Sequence, residues 1–299
     1  VKRLLAFVRL SRPLFLYGGF AGVALGAAVA AWSGRRVDVA TYLWAQALVT
    51  AFHLMVHYAN DYFDRECDAG TTRTAWSGGS GILVTGELHP RVALVAALAC
   101  AALGLAVCAR FALAGNPTVA LIGIGILVFA WCYSAPPVRL AARRLGEIDT
   151  VLVVAVLVPC AGYAAFAGRI DDPILSAVLA PAGAMFAMML CVQLPDANSD
   201  FLAGKRNLVV AWGPARAWQL IMIAACFAVA TAVTWAVKQH AGIATLALAP
   251  AAVCAFALVR YATGDPRPAS MAFWGITLYA TTVTGLAAVY ALLAVSAAR

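Results

Sequence analysis

The stretch "NDYFDRECDAGTTRT", Asn60 to Thr74, decides how this chain is read. It closes a long apolar run and places four acids, Asp61, Asp64, Glu66 and Asp68, close together. If the helix formed by the apolar run continues through it, Asp61, Asp64 and Asp68 stand at i, i+3 and i+7. They then share one face with Asn60, one turn behind Asp64, while Glu66 points elsewhere. Like charges at that spacing repel, and a helix has no structural reason to choose them. Something positive must sit among them.

The surrounding composition is that of a membrane protein. Hydrophobic residues make up 64% of the 299 and charged residues 11%, with a mean hydropathy of +0.88. A soluble domain is nearer a quarter charged. Apolar runs long enough for a bilayer recur, and a lipid-exposed backbone must satisfy its own hydrogen bonds, so an all-α polytopic fold is expected. Nine spans are predicted, at roughly 13–32, 40–60, 91–113, 118–135, 148–168, 174–195, 215–237, 241–261 and 270–296. The N-terminal run is too long for a signal peptide and is read as the first helix. One transmembrane domain over 1–299 is expected, its helices around a cavity that opens near the cytoplasmic side.

Basic residues set the expected orientation. Of the 21 Lys and Arg, only Arg35, Arg36, Arg110, Arg169, Lys238 and Arg299 fall on one side of this nine-span arrangement. The remainder lie with the N-terminus and the ends of the even-numbered spans, which the positive-inside rule assigns to the cytoplasm of a plasma or inner membrane. The net charge of +8 reflects that orientation and anionic ligands; nucleic acid is not needed to explain it. The eight cysteines are scattered without a CxxC pair and read as small apolar residues.

A second acidic stretch, "DANSD", follows the sixth span, with Asp196 and Asp200 at i, i+4. Arg73 lies five positions after Asp68, and Lys205 five after Asp200. Both stretches fall on the cytoplasmic side, so the two look like one device used twice across a cavity. Oxygen-only clusters suit hard cations, and Mg²⁺ binds through one or two carboxylates plus substrate phosphate while keeping waters. Basic residues just beyond would meet phosphate oxygens the metal leaves uncovered. Solvated loop acids are the plainer reading of any one of these residues. A cation or proton pathway is another, although a transporter more often shows acids at mid-span or broken helices.

"NDYFDRECD" fits the NDxxDxxxD motif, and "DANSD" the DxxxD motif, of the UbiA superfamily of intramembrane prenyltransferases, which the chain resembles. "SGGSGILVTGELHP" (Ser77 to Pro90), "YSAPPVRLAARRLGEI" (Tyr133 to Ile148) and "QLPDANSDFLAGKRNLVVAWG" (Gln193 to Gly213) look like loops of the MenA-like branch, which prenylates 1,4-dihydroxy-2-naphthoate. The likeness runs from Arg12 and Pro13 to about Gly213; the last three helices match in number and hydrophobicity only. The chain departs from the branch at Gln193, where Asn is common, and at Arg139, Arg143 and Arg144, which stand where many relatives have a Lys.

The resemblance implies Mg²⁺-dependent transfer of a prenyl group from a prenyl diphosphate to a small aromatic acceptor in the bilayer. No obligate protein partner is implied. With the face argument, it assigns one Mg²⁺ to Asp61, Asp64 and Asp68 and a second to Asp196 and Asp200, with Asn60 beside them. Arg73, Lys205 and Arg139 are assigned to the diphosphate. Homogentisate, 4-hydroxybenzoate, a sugar phosphate and a haem-type macrocycle stay open as acceptors. A CDP-alcohol phosphotransferase is disfavoured, because "DRECDAGTTRT" provides no DGxxAR run.

His53 and His57 lie one helical turn apart, but no HExxH or Cys partner accompanies them as a zinc site would require. His57 is expected to line the cavity, with Tyr17 and Tyr133 stacking on the acceptor. The run "WSGGSG" (Trp76 to Gly81) could bring backbone N–H groups to phosphate or serve as a lid. No general base is assigned, because the carboxylates near the site are all claimed for metal.

Overall fold

A computed structural model of the chain describes residues 2–70, 79–202, 204–262 and 268–297. Among the described residues there is no strand, and nine helices are long and apolar enough to cross a membrane. They are α1 (Lys2–Trp32), α2 (Val39–Asp68), α3 (Pro90–Leu113), α4 (Pro117–Ser134), α5 (Gly146–Ala167), α6 (Asp172–Leu202), α7 (Pro214–Lys238), α8 (Gly242–Arg260) and α9 (Ser270–Ala297). The expected spans are all present. Three of them continue further than expected: α2 runs unbroken through the acids to Asp68, α6 extends to Leu202, and about two and a half turns of helix precede Arg12.

Local chemistry explains the interruptions. Pro13 lacks an N–H and disfavours helical geometry in the residue before it. The helix breaks there, and Arg12 takes a left-handed conformation (φ 47°, ψ 62°), separating Lys2–Leu10 from the membrane-crossing Tyr17–Trp32. In α5 the stretch Val151–Leu157 widens into a π-helix before α-helical winding resumes at Val158. Asp38 caps α2 by accepting from the Thr41 N–H at 2.9 Å.

The helices build two apolar cores. One joins α2, α3 and α4, the other α6 to α9, and α1 and α5 stand between and contribute to both. The seam between α1 and α5 is a backbone-to-backbone contact. A Cβ on Gly26 would collide with the Pro159 carbonyl oxygen, and one on Gly162 would lie 2.7 Å from that of Val23. Small residues at such crossings let helices associate in lipid, where no hydrophobic drive exists between them. Exposed Leu113, Leu121, Ile223 and Phe256 face outward, as lipid-facing positions should.

Candidate active site

The acids of both stretches gather at the end of the bundle where α2 and α6 finish. Asp61, Asp64, Asp68, Asp196 and Asp200 are all buried, none more than 9% exposed. The continuation of α2 puts its three acids on one face, as their spacing requires. On α6 a tight turn at Leu194–Asp196, started by Pro195, leads into the short helix Ala197–Leu202 that carries Asp200.

Lys205 joins the two stretches. Its Nζ lies 4.0 Å from Asp68 Oδ1 and 3.8 Å from Asp200 Oδ1, so one ammonium bridges α2 and α6. Burial alone would favour the neutral amine; Asp64, Asp200 and Asp68 outweigh it and hold the pKa above the ordinary lysine value. Lys205 is placed by the loop behind Asp200, where Asn207 Nδ2 donates to Asp200 Oδ2 at 2.7 Å. The same Asn207 caps the next helix, Leu208–Trp212, accepting from the Val210 N–H at 2.9 Å. Glu147 of α5, fully buried, accepts from the Leu208 N–H at 2.7 Å and ties that helix to α5.

Two arginines approach from other elements. Arg139, in the loop after α4, brings Nη2 within 3.9 Å of Asp64 Oδ1, and Arg12 of α1 pairs with Asp61. Both are non-glycine residues at φ 47°, a region that L side chains visit at a cost, and such strain collects at functional sites. Asn60 donates to Asp64 Oδ2 at 2.9 Å and to Ser134 Oγ at 2.7 Å, and Ser134 donates to the same carboxylate at 3.2 Å. Asp61 is further held by Ser80, whose backbone N–H lies 3.2 Å from Oδ2 and whose hydroxyl donates to that oxygen. The glycine-rich run thus offers its Ser80 N–H to Asp61. Gly79, at φ +68°, passes so close to Asp68 that a Cβ would strike Oδ2.

Directly behind the acids a cavity of about 300 Å³ reaches into the bundle. Its walls are mainly apolar, with Val49, Phe52, Ile126, Val153, Met185 and Ile276 among them, and Arg12 and Asn60 at the acidic end. His57, Tyr17 and Tyr133 all line it, as expected, and so does His53. His57 Nδ1 is 2.8 Å from the Ser11 carbonyl, which fixes the N–H on that nitrogen. The Tyr17 hydroxyl bonds to Thr284 of α9.

Arg73 lies outside the described residues. Residues 76–78 of the glycine-rich run also lie outside them. Asn60, Lys205 and Arg139 take their places at the buried acids, and His53, His57, Tyr17 and Tyr133 in the cavity, whereas Glu66 is exposed and Arg143 donates to the Pro137 carbonyl. The sequence reading did not place Arg12, Ser80, Ser134, Asn207 or Glu147 in the site. Arg12 stands where the likeness begins and the other four lie within the loops that carry it, but none of the five has a spacing that marks a role.

Among the described residues no three His, Cys, Asp or Glu side chains form a ready-made metal nest. The donor set is all oxygen, split between two helix ends, with cations interleaved. Such an arrangement suits a hard cation that takes one or two carboxylates and completes its shell from phosphate and water, rather than a structural metal enclosed by protein.

The sequence matches the UbiA prenyltransferase family over residues 20–280. A digeranylgeranylglyceryl phosphate synthase of Methanopyrus kandleri is 27% identical over 265 residues, covering 87% of this chain and 90% of that protein. A 1,4-dihydroxy-2-naphthoate octaprenyltransferase of Mycobacterium tuberculosis is 28% identical over 207 residues, 69% of each chain. The fold is that of a UbiA homologue from Archaeoglobus fulgidus solved with DMAPP and Mg²⁺, at TM-score 0.64 and 20% identity, covering 95% of this chain and 98% of that one. With nine membrane-length helices and a family match over most of its length, the chain is a multi-pass integral membrane protein of the UbiA prenyltransferase family.

Proposed function

We propose that the protein transfers a prenyl group from a prenyl diphosphate to 1,4-dihydroxy-2-naphthoate or a related aromatic quinone precursor, in a Mg²⁺-dependent reaction. The observation that carries this reading is the convergence of two acidic helix ends, bridged by Lys205, at the mouth of an apolar cavity. Charged chemistry lies at one end and room for a hydrocarbon at the other, the two needs of a prenyl diphosphate.

Asp61, Asp64 and Asp68 would hold one Mg²⁺ and Asp196 with Asp200 a second, Asp61 being oriented by Arg12 and Ser80. When bound, Mg²⁺ neutralises the diphosphate and stabilises the charge that builds on the leaving oxygen. Lys205, Arg139 and Arg12 are placed to turn from carboxylates to phosphate oxygens, strengthening that stabilisation as the C–O bond breaks. The apolar walls hold the tail and exclude water from the allylic carbon. His57, Tyr17 and Tyr133 line the space left for the acceptor. By the distribution of basic residues, the acidic end faces the cytoplasm.

The naphthoate is favoured by the loops resembling the MenA-like branch and by the M. tuberculosis relative. An alcohol acceptor is the second reading, favoured by the M. kandleri relative, which aligns over more of the chain. Purified protein with Mg²⁺, a labelled prenyl diphosphate and a panel of acceptors separates the two. A prenylated naphthoate is expected, lost in Asp64→Ala and Asp196→Ala while the protein still folds. Full activity in either variant, or in excess EDTA, counts against the metal assignment.

A further inference from the structure

The acidic motifs account for ionisation of the diphosphate but leave the acceptor's proton unassigned. The cavity supplies a separate carboxylate. Asp149 lies on α5, two residues before the π-helical stretch Val151–Leu157, and lines the cavity with Val153, Val154 and Val158 of the same helix. It is 5% exposed, and its Oδ1 has no hydrogen-bond partner among the described residues. On α9, the Tyr279 hydroxyl is likewise buried, its residue lines the same cavity, and it has no partner among the described residues.

Buried polar groups are nearly always hydrogen-bonded, and exceptions in a cavity point to what the cavity binds. A prenyl tail gives neither group a partner. A hydroxyl-bearing acceptor does: its O–H can donate to a carboxylate, and a second oxygen can bond to a tyrosine. The π-helical winding beside Asp149 is itself a feature that recurs at functional sites.

We propose that Asp149 is the catalytic base for the acceptor, taking the hydroxyl proton of a phenol or alcohol, and that Tyr279 bonds to the acceptor's second oxygen. The C–O bond of the prenyl diphosphate breaks, and its electron pair leaves with the diphosphate. The acceptor's oxygen lone pair, or the ring carbon made nucleophilic by that oxygen, forms the new bond to the allylic carbon. The hydroxyl proton passes to the Asp149 carboxylate. For an alcohol the product is the ether; for a phenol attacking through carbon, loss of the O–H proton gives the keto form, which then rearomatises as that carbon loses a proton to water or loses carbon dioxide and the carbonyl oxygen takes a proton back from Asp149. Asp149 is distinct from Asp61, Asp64, Asp68, Asp196 and Asp200, so the base need not be borrowed from the metal ligands.

This inference rests on the prenyl-transfer reading, and the experiment separates the two. In full-length protein with Mg²⁺ and labelled prenyl diphosphate, two rates are measured. One is transfer to the best acceptor of the panel; the other is acceptor-free ionisation, followed by exchange of ¹⁸O between bridging and non-bridging positions. Asp149→Asn and Asp149→Ser are expected to lower transfer by about 100-fold, the contribution of a positioned base, while ionisation stays within about twofold of wild type. A more acidic phenol is expected to recover part of the transfer rate in Asp149→Asn. Transfer within about threefold of wild type in both variants overturns the assignment, as does a parallel fall in ionisation in both. Absence of ionisation in the wild-type protein instead overturns the prenyl-transfer reading beneath it.

Discussion

Removing Lys205 tests the bridge between the two acidic stretches. At 3.8 and 4.0 Å from Asp200 and Asp68, each attraction is about 4 kcal/mol at an effective dielectric of ~20. Taking an ammonium out of water offsets part of that sum. Breaking a buried pair by deleting one partner nonetheless costs roughly 3–5 kcal/mol, because the other charge stays behind. Lys205→Met keeps the length and apolar stem and leaves two buried carboxylates facing each other. A loss of about 3 kcal/mol in stability is expected in the metal-free protein, read as a lowered thermal midpoint in detergent. Added Mg²⁺ is expected to raise the midpoint of Lys205→Met more than that of the wild type, since it restores positive charge between the same oxygens. Because folding raises this pKa, the stabilisation is complete at pH values below the ordinary 10.5 and fades only above the still higher folded value. Up to about pH 9 the ammonium therefore stays charged and lends the difference between wild type and variant no pH dependence of its own. Transfer activity in saturating Mg²⁺ is expected to fall by about 100-fold from the lost phosphate contact, and Lys205→Arg to retain much of it. The reasoning is refuted if Lys205→Met matches the wild type in both midpoint and Mg²⁺ response.

Gly79→Ala forces a side chain onto a residue at φ +68° and against Asp68, so at least about 1 kcal/mol of stability and most Mg²⁺-dependent ionisation should be lost. A variant as active as wild type in the ¹⁸O exchange assay would contradict this placement. Asn207→Ala removes a helix cap and a hydrogen bond to Asp200, a loss of about 2 kcal/mol in thermal or denaturant unfolding. Gly26→Val overfills the α1–α5 seam and is expected to cost roughly 1–3 kcal/mol in unfolding measurements. Activity per folded molecule should be unchanged, because the seam is made of backbone and apolar groups away from the acids.

The helices and the two acidic ends were legible because each leaves a periodic trace. Apolar runs have a length set by the bilayer, and Asp61, Asp64 and Asp68 repeat at helical spacing. His57, one turn before Asp61, and Tyr17 and Tyr133, expected to stack on the acceptor, all line the cavity. The partners that came from far along the chain were not legible. Arg12 looked like one more basic residue at a membrane boundary, yet a left-handed backbone just before Pro13 accompanies its pairing with Asp61. Ser134 and Asn207 are single polar residues whose roles depend on helices meeting. Asp149 lies in "GEIDT", where nothing distinguishes a cavity-facing acid from a loop acid until α5 is seen against α9.

The α1–α5 seam bears on how the protein is made. α1 emerges from the ribosome before α2 to α9, but the partner it touches backbone to backbone begins only at Gly146, about a hundred residues later. Until then α1 must wait in the bilayer without its closest neighbour, while α2, α3 and α4 are synthesised and can assemble their own core. The acids of α2 wait longer still, since Lys205 and Asp200 arrive after the sixth crossing. Assembly of the centre is thus a late event of biosynthesis, and a nascent chain stalled before α6 holds Asp61, Asp64 and Asp68 without Lys205.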